Sequence, residues 1–375
     1  MGLVRRDRAR RWSLVLVLAG VLAATPALVG ARPAAGSDTP AADLVRQALG
    51  SEPVAFQGLV QVDGRLGLPV LPVQSSGLTL LDHSTRIRVW WASPGAWRTD
   101  LLSAGGQQGE FATADGTRQW DYEQNTVDDH IISGTVRLPR AADLLPPAAA
   151  RSLLAWITPD DRVTRTGAAV VAGRSADGLR VEPGDARSSV GRLDVWVDPV
   201  SALPLRLDVY ARGAGVPVFS TQFMDVSYDR PDATLTHPAM TPTAHYELSN
   251  RRDLLAFVAD TGKALFPSML GSLPALTGVG LPAGIATYGS GFARVALVEL
   301  PPRFAPRVID SLGSTPTAAV AGGRLVVLGS AVLQVAVLQP NSGGTVLLAG
   351  TLTPAAFAET AAVALRELDA AGVGR

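Results

Sequence analysis

Between Val54 and Tyr228 apolar and polar residues alternate in short runs broken by Gly, Pro, Asp and Asn. Period-two alternation is the signature of half-buried strands. The stretch Gly191–Gly213, GRLDVWVDPVSALPLRLDVYARG, shows it most plainly. Leu193, Val195 and Val197 share one face of the first run, and Leu205, Leu207 and Val209 share one face of the second. Arg192, Asp194, Arg206 and Asp208 take the opposite positions. A one-residue slip would invert either run, so the register is well specified. Prolines sit at the edges of the turn Asp198–Pro204, where no ladder donor is needed. The apolar face is a wall: core under helices, or the lining of a cavity.

The same alternation places Ile87, Val89 and Trp91 on one face of Leu78–Trp91, and Trp97 and Leu101 on one face of the run after Ser93-Pro94-Gly95. Trp120 and Tyr122 share a face of a meander with turns at Asp115-Gly116 and Gln124-Asn125. These residues, with those of the hairpin, form the candidate lining. Two helices interrupt the strands: AADLVRQAL, closed by Gly50, and Pro147–Ile157, whose early prolines suit a first turn. About eleven strands and two helices precede His237, which predicts a long, curved antiparallel sheet with helices on its concave side. The fold class is α+β, mainly antiparallel β.

Residues 240–284 shift to Pro, Gly, Leu and Ala, with a helix near Asp253–Leu265, and read as an apolar linker. A smaller α+β domain follows over 285–375. It has a hairpin about Gly289–Gly291, strands in GGRLVVLGSAVLQVAVLQ and TVLLAG, and a terminal helix with Thr353 as N-cap and Pro354 at its first position.

Before the first helix, Arg5, Arg6, Arg8, Arg10 and Arg11 precede the uncharged run Trp12–Ala31. That is a basic n-region followed by an apolar h-region: residues 1–31 read as a signal peptide or an N-terminal membrane anchor, and 32–40 as a spacer. Residues 41–239 then form the β domain. The expected location is the extracytoplasmic cell envelope. The whole chain has 33 basic and 33 acidic residues, so nothing electrostatic points to nucleic acid. It has no cysteine, which excludes disulfides and thiol catalysis.

Catalytic signatures are missing too. The histidines, His83, His130, His237 and His245, show no HxxxH or HExxH spacing, and His130 beside Asp128-Asp129 reads as a polar strand face. There is no GxSxG elbow, P-loop or dinucleotide fingerprint. Asp194, Asp208 and Asp225 read as ion-pair partners of Arg192, Arg206 and Arg212 on the outer face. The expectation is a binding protein rather than an enzyme, with no cofactor, no metal and no catalytic residue.

The order TRIRVWWASPGAWRTDLL, GEFATADGTRQWDYEQNTV, a helix, VWVDPVSALPLRLDVY and STQFMDVSYDRP resembles the LolA family of periplasmic lipoprotein carriers, whose fold also forms the large domain of RseB/MucB-like regulators of the sigma-E response. IATYGSGFARVALVELPPR and GGTVLLAGTLTPAAFAETAAVAL are similar to the small C-terminal domain of the RseB/MucB-like group. The resemblance implies an unclosed β-barrel around a hydrophobic cavity, then a small α+β domain. It also implies a partner: a membrane-anchored, anti-sigma-factor-like envelope protein, with lipid in the cavity. The alternative it leaves is a lipid or lipoprotein carrier working with an ABC transporter. No single functional residue is carried over.

Overall fold

The computed structural model describes residues 34–67, 76–103, 105–114, 116–131, 136–237, 239, 243–247, 254–276, 280–312 and 315–372. The N-terminal basic and apolar run, and Asp115 of the first turn, lie outside them.

The alternating runs become strands with the expected faces. β1 (Phe56–Gly64) is the middle of the larger sheet. On one side a meander runs through β2 (Ser84–Ser93), β3 (Ala96–Ser103), β4 (Gly106–Thr113), β5 (Gly116–Asp121) and β6 (Thr126–Ile131). On the other, β7 (Arg162–Val171), β8 (Arg174–Glu182), β9 (Val190–Val197), β10 (Pro204–Ala211) and β11 (Phe219–Ser227) form a second meander, whose last strand returns to β1. All these pairs are antiparallel, and the linear order leaves the barrel unclosed. The twelfth strand, β12 (His245–Glu247), joins β6 in parallel. The β1–β11 seam carries a bulge at Leu59/Val60. Gly58 is required there: a Cβ on it would stand 2.1 Å from the carbonyl oxygen of Asp225.

α1 (Ala41–Leu49), α2 (Ser76–Leu80) and α3 (Pro146–Leu154), with a 3-10 turn at Ala141–Leu144, belong to the same domain. α1 buries Leu44 and Ala48, and α3 buries Ala149, Ala150 and Leu154, against Leu193, Val195, Leu205 and Leu207 of the sheet. This is the mainly antiparallel sheet with helices on its concave side that the alternation predicts. Leu78–Leu80, expected at the head of a strand, closes α2 instead, and the strand starts at Ser84.

The opposite face is polar and ordered by register. Arg180, Asp194, Asp208, Ser220, Asp63 and Ser84 stand side by side across β8, β9, β10, β11, β1 and β2. Asp194 faces Asp208 directly, a repulsive pairing on its own. Arg180 forks onto Asp194 at 2.7 and 2.8 Å, and Arg206 binds Asp208 at 2.6 Å from the same strand. Arg212, expected beside Asp225, instead donates to the backbone carbonyls of Ser188 and Asp185, because its strand has ended and it lies over the loop.

The second domain is a six-stranded antiparallel sheet, ordered β15 (Ile285–Ser290), β16 (Ala293–Glu299), β20 (Val346–Gly350), β19 (Gln334–Pro340), β18 (Gly323–Gly329) and β17 (Ala318–Val320). The terminal helix (Pro354–Ala371) lays Phe357, Ala361, Ala364, Leu365 and Leu368 on it. Thr353 Oγ1 accepts from Ala356 N at 3.5 Å, and Gly372 closes the helix at φ 67°. The intervening segment is divided between the domains. β12 extends the first sheet, whereas the short hairpin of β13 (Met269–Leu270) and β14 (Leu273–Pro274) and the helix Leu254–Thr261 pack on the second domain through Leu270, Leu273 and Val258.

Candidate functional site

Three features can bind something: the apolar concave face, the junction between the domains, and a polar cavity. On the concave face, Ile87, Val89, Leu193, Val195, Val197, Leu205 and Leu207 have no exposed surface, and Trp91, Trp97 and Val209 are buried. All ten share one cluster, with Leu101 half-buried against it. At these positions the neighbours are the protein's own helices and strands. Four aromatic rings cross the centre of this face. Phe223 meets Phe56 edge-on at 5.5 Å, Phe56 stacks on Trp91 at 5.9 Å, and Trp91 stacks on Trp97 at 6.1 Å.

Trp120 and Tyr122 stand elsewhere. They stack on each other at 4.5 Å in a separate cluster with Phe111 and Val127. Register explains the separation: Trp120 pairs with Gly109 and Arg98 with Phe111, which puts them on the face of Arg98 and Trp90, opposite Ala112 and Leu101. Arg98 lies 4.7 Å over the Trp90 ring, donates to Tyr122 Oη at 2.7 Å and forks onto Asp100. Burial pushes the Asp100 carboxyl up, against these bonds, and pushes Tyr122 up to about 12.

The junction is built by the loop Arg187–Ser189. Ser189 N donates to Thr351 O at 2.9 Å, Thr353 N donates to Arg187 O at 2.7 Å, and Ser188 bridges to Leu352. Ser188 Oγ donates to Phe292 O at 3.2 Å, and Ser189 Oγ donates to Val332 O. Phe292 follows Gly291 in the β15–β16 turn, yet its ring is buried in the first domain's core beside Trp156, centroids 6.0 Å apart. Sequence reasoning did not single out Phe292, because an apolar residue in a glycine turn has no periodic partner to mark it.

The cavity opens on the concave side of β3–β6, beside the 3-10 turn, with a volume of ≈ 140 Å³. Leu101, Glu110, Gln119, Asp121, Thr126, Asp128 and Ala141 are among its lining residues. This half of the sheet carries acceptors where the other half carries Leu and Val. Glu110 is the residue that strand periodicity hides: it occupies a core-facing position and is 6% exposed. Arg140 Nε stands 3.5 Å from Oε1, whereas Oε2 is buried with no hydrogen-bond partner among the described residues. Burial, opposed in part by Arg140, raises the Glu110 carboxyl to about 7.

That shift makes a stability prediction. The unfolded chain loses this proton near the ordinary carboxylate value of 4.5, and the folded chain near 7. The folded state therefore holds more protons between those values, and stability falls as pH rises through that window. The loss is roughly 3 kcal/mol, complete above pH about 8. Urea unfolding across this range should show it in the wild type and not in Glu110→Gln. Parallel pH profiles would refute the assignment.

Among the described residues, no group of three or more His, Asp or Glu is placed to hold a metal ion, and no helix is long and apolar enough to cross a membrane.

No protein-family model matches the chain, and no curated protein matches it. Among solved structures it is similar to MucB in complex with MucA(peri), at 19% identity over 86% of this chain and 97% of that one, with a TM-score of 0.46. It is likewise similar to the complex structure of Pseudomonas aeruginosa MucA/MucB, at 19% identity over 86% and 96%, with a TM-score of 0.45. A LolA superfamily protein from Nitrosomonas europaea is similar at 13% identity over 53% of this chain and 98% of that one, with a TM-score of 0.23. Each is a similarity of fold, covering 86% of this chain in the MucB structures and little more than half in the LolA superfamily protein.

Proposed function

We propose that the protein is an exported envelope binding protein of the RseB/MucB-like kind, a regulator whose partner is a membrane-anchored, anti-sigma-factor-like protein. The observation that carries the reading is the join between the domains. A large unclosed sheet and a small α+β domain are locked through Ser188, Ser189 and the buried Phe292 ring, so both present their surfaces to a partner together. Residues 1–31 would deliver the chain across the membrane or hold it there. In one similar structure MucB is bound to MucA(peri), and the proposal gives this chain a partner of the same kind.

Lipid in the apolar face is the finer part of the proposal. Each methylene moved from water contributes roughly 0.8 kcal/mol, so one acyl chain would bind usefully. It would have to displace α1 or α3, which occupy that face now. The carrier reading needs the same displacement on every cycle and gives the second domain no task.

Deleting the gene tests the choice. A regulator's loss changes transcription driven by an envelope-stress sigma factor and leaves lipoprotein sorting intact. Unchanged sigma-dependent transcription together with mislocalised lipoproteins would overturn the proposal in favour of a carrier.

A further inference from the structure

We propose that the polar cavity beside the Ala141–Leu144 turn is a binding site for a primary ammonium group, carried by a small free amine or by an aminoethyl lipid headgroup. The inference stands on the cavity itself and not on the partner proposed above.

Its first support is an unanswered charge. Glu110 is buried, lines the cavity and has one carboxylate oxygen without a hydrogen-bond partner among the described residues. An unpaired buried acceptor is costly, and a donor delivered from solution would remove that cost. The second support is the character of the lining. Glu110, Gln119, Asp121 and Asp128 bring acceptors from three adjacent strands to one space. An ammonium carries three donors and no acceptor, which suits such a lining. Leu101 and Ala141 supply apolar surface for the adjoining methylenes.

Size narrows the ligand. At ≈ 140 Å³ the space is well below the roughly 300–1,000 Å³ of a drug-sized site, so it takes a headgroup rather than an acyl chain. A bare metal ion fits less well, since no three carboxylate or imidazole groups converge closely enough among the described residues.

The charged groups around Glu110 fix the pH response. Arg137, Arg140 and Asp143 face it from the 3-10 side, and Asp121, Asp128 and His130 lie on the neighbouring strands. Raising the pH through 7 ionises Glu110 and strengthens ammonium binding.

The test is calorimetric titration of the full chain with ethanolamine, with tetramethylammonium as a cation lacking N–H donors. Co-sedimentation with vesicles of phosphatidylethanolamine or phosphatidylglycerol forms the second arm. Ethanolamine should bind saturably, roughly tenfold tighter at pH 8 than at pH 6 as Glu110 ionises. Tetramethylammonium should bind at least tenfold more weakly. Glu110→Gln, a neutral isostere whose folding is checked by circular dichroism, and Asp121→Asn should each weaken ethanolamine tenfold or more. Selective co-sedimentation with phosphatidylethanolamine makes the source a lipid headgroup; ethanolamine binding without it makes the source a free amine. The proposal is overturned if ethanolamine does not bind at millimolar concentration, or if folded Glu110→Gln binds it as tightly as the wild type.

Discussion

Phe292→Ala should part the two domains. The ring belongs to the second domain's first hairpin but is 1% exposed within the core of the first. Truncating a buried phenylalanine costs about 3–5 kcal/mol, and here that cost falls on the junction. Ser188 and Ser189 would keep their bonds to Phe292 O and Val332 O, but buried hydrogen bonds contribute only about 1 kcal/mol each. Calorimetric melting should therefore split into two transitions in the variant, because domains with a weakened interface unfold independently. Val320→Ala, at a residue 37% exposed in the second domain, is the control and should stay within about 0.5 kcal/mol of wild type. A single unshifted transition in Phe292→Ala would show that the ring does not hold the domains together.

Trp91→Ala should be the most damaging change within the first domain, at about 3–5 kcal/mol in urea unfolding. The ring is 8% exposed and lies between Phe56 and Trp97 in the four-ring column over β11, β1, β2 and β3. Its loss leaves a cavity with rigid aromatic walls. Trp91→Phe separates ring from polar handle. The indole N–H has no hydrogen-bond partner among the described residues, so removing it abandons no bond. This variant should cost less than half as much as alanine. Equal costs would place the energy of the site in the indole nitrogen and contradict the stacking account.

The sheet was legible because period-two alternation is a local property. Spacing alone puts Leu193, Val195 and Val197 on one face, and it does the same for Leu205, Leu207 and Val209. The hairpin turn was legible as well. Asp198 closes it by accepting from Val200 N at 2.7 Å and from Tyr228 Oη at 2.6 Å; burial opposes ionisation of this carboxyl, yet the bonds hold it below the usual range. The ion pairs were half legible. Arg98-Thr99-Asp100, Arg192-Leu193-Asp194 and Arg206-Leu207-Asp208 repeat one R-x-D pattern, which puts cation and anion on one face of a single strand. Arg192 and Arg206 are therefore visible as partners in the sequence. Arg180 is not, because cross-strand register is not local.

The binding features were less legible for the same reason. Alternation says which face a residue is on and does not say what fills the space above it. Whether that space holds α1 and α3 or a ligand depends on packing between distant segments. Trp120 and Tyr122 share their own face, as alternation requires, but only the pairing of Trp120 with Gly109 shows that this face is not that of Leu101. Glu110 escaped notice because a carboxylate in a strand is ordinarily solvent-facing, and its burial follows from the turn at Ala141–Leu144 closing over it.

The central claim is that both domains, locked at Phe292, serve one membrane-anchored partner. Affinity capture of the full chain from detergent-solubilised membranes of its source, run in parallel with Phe292→Ala, tests it most directly. The account predicts recovery of a membrane-anchored protein encoded beside a sigma factor, with recovery reduced at least tenfold in the variant. Recovery of lipoproteins and an ABC transporter in its place, or equal recovery with Phe292→Ala, would contradict it.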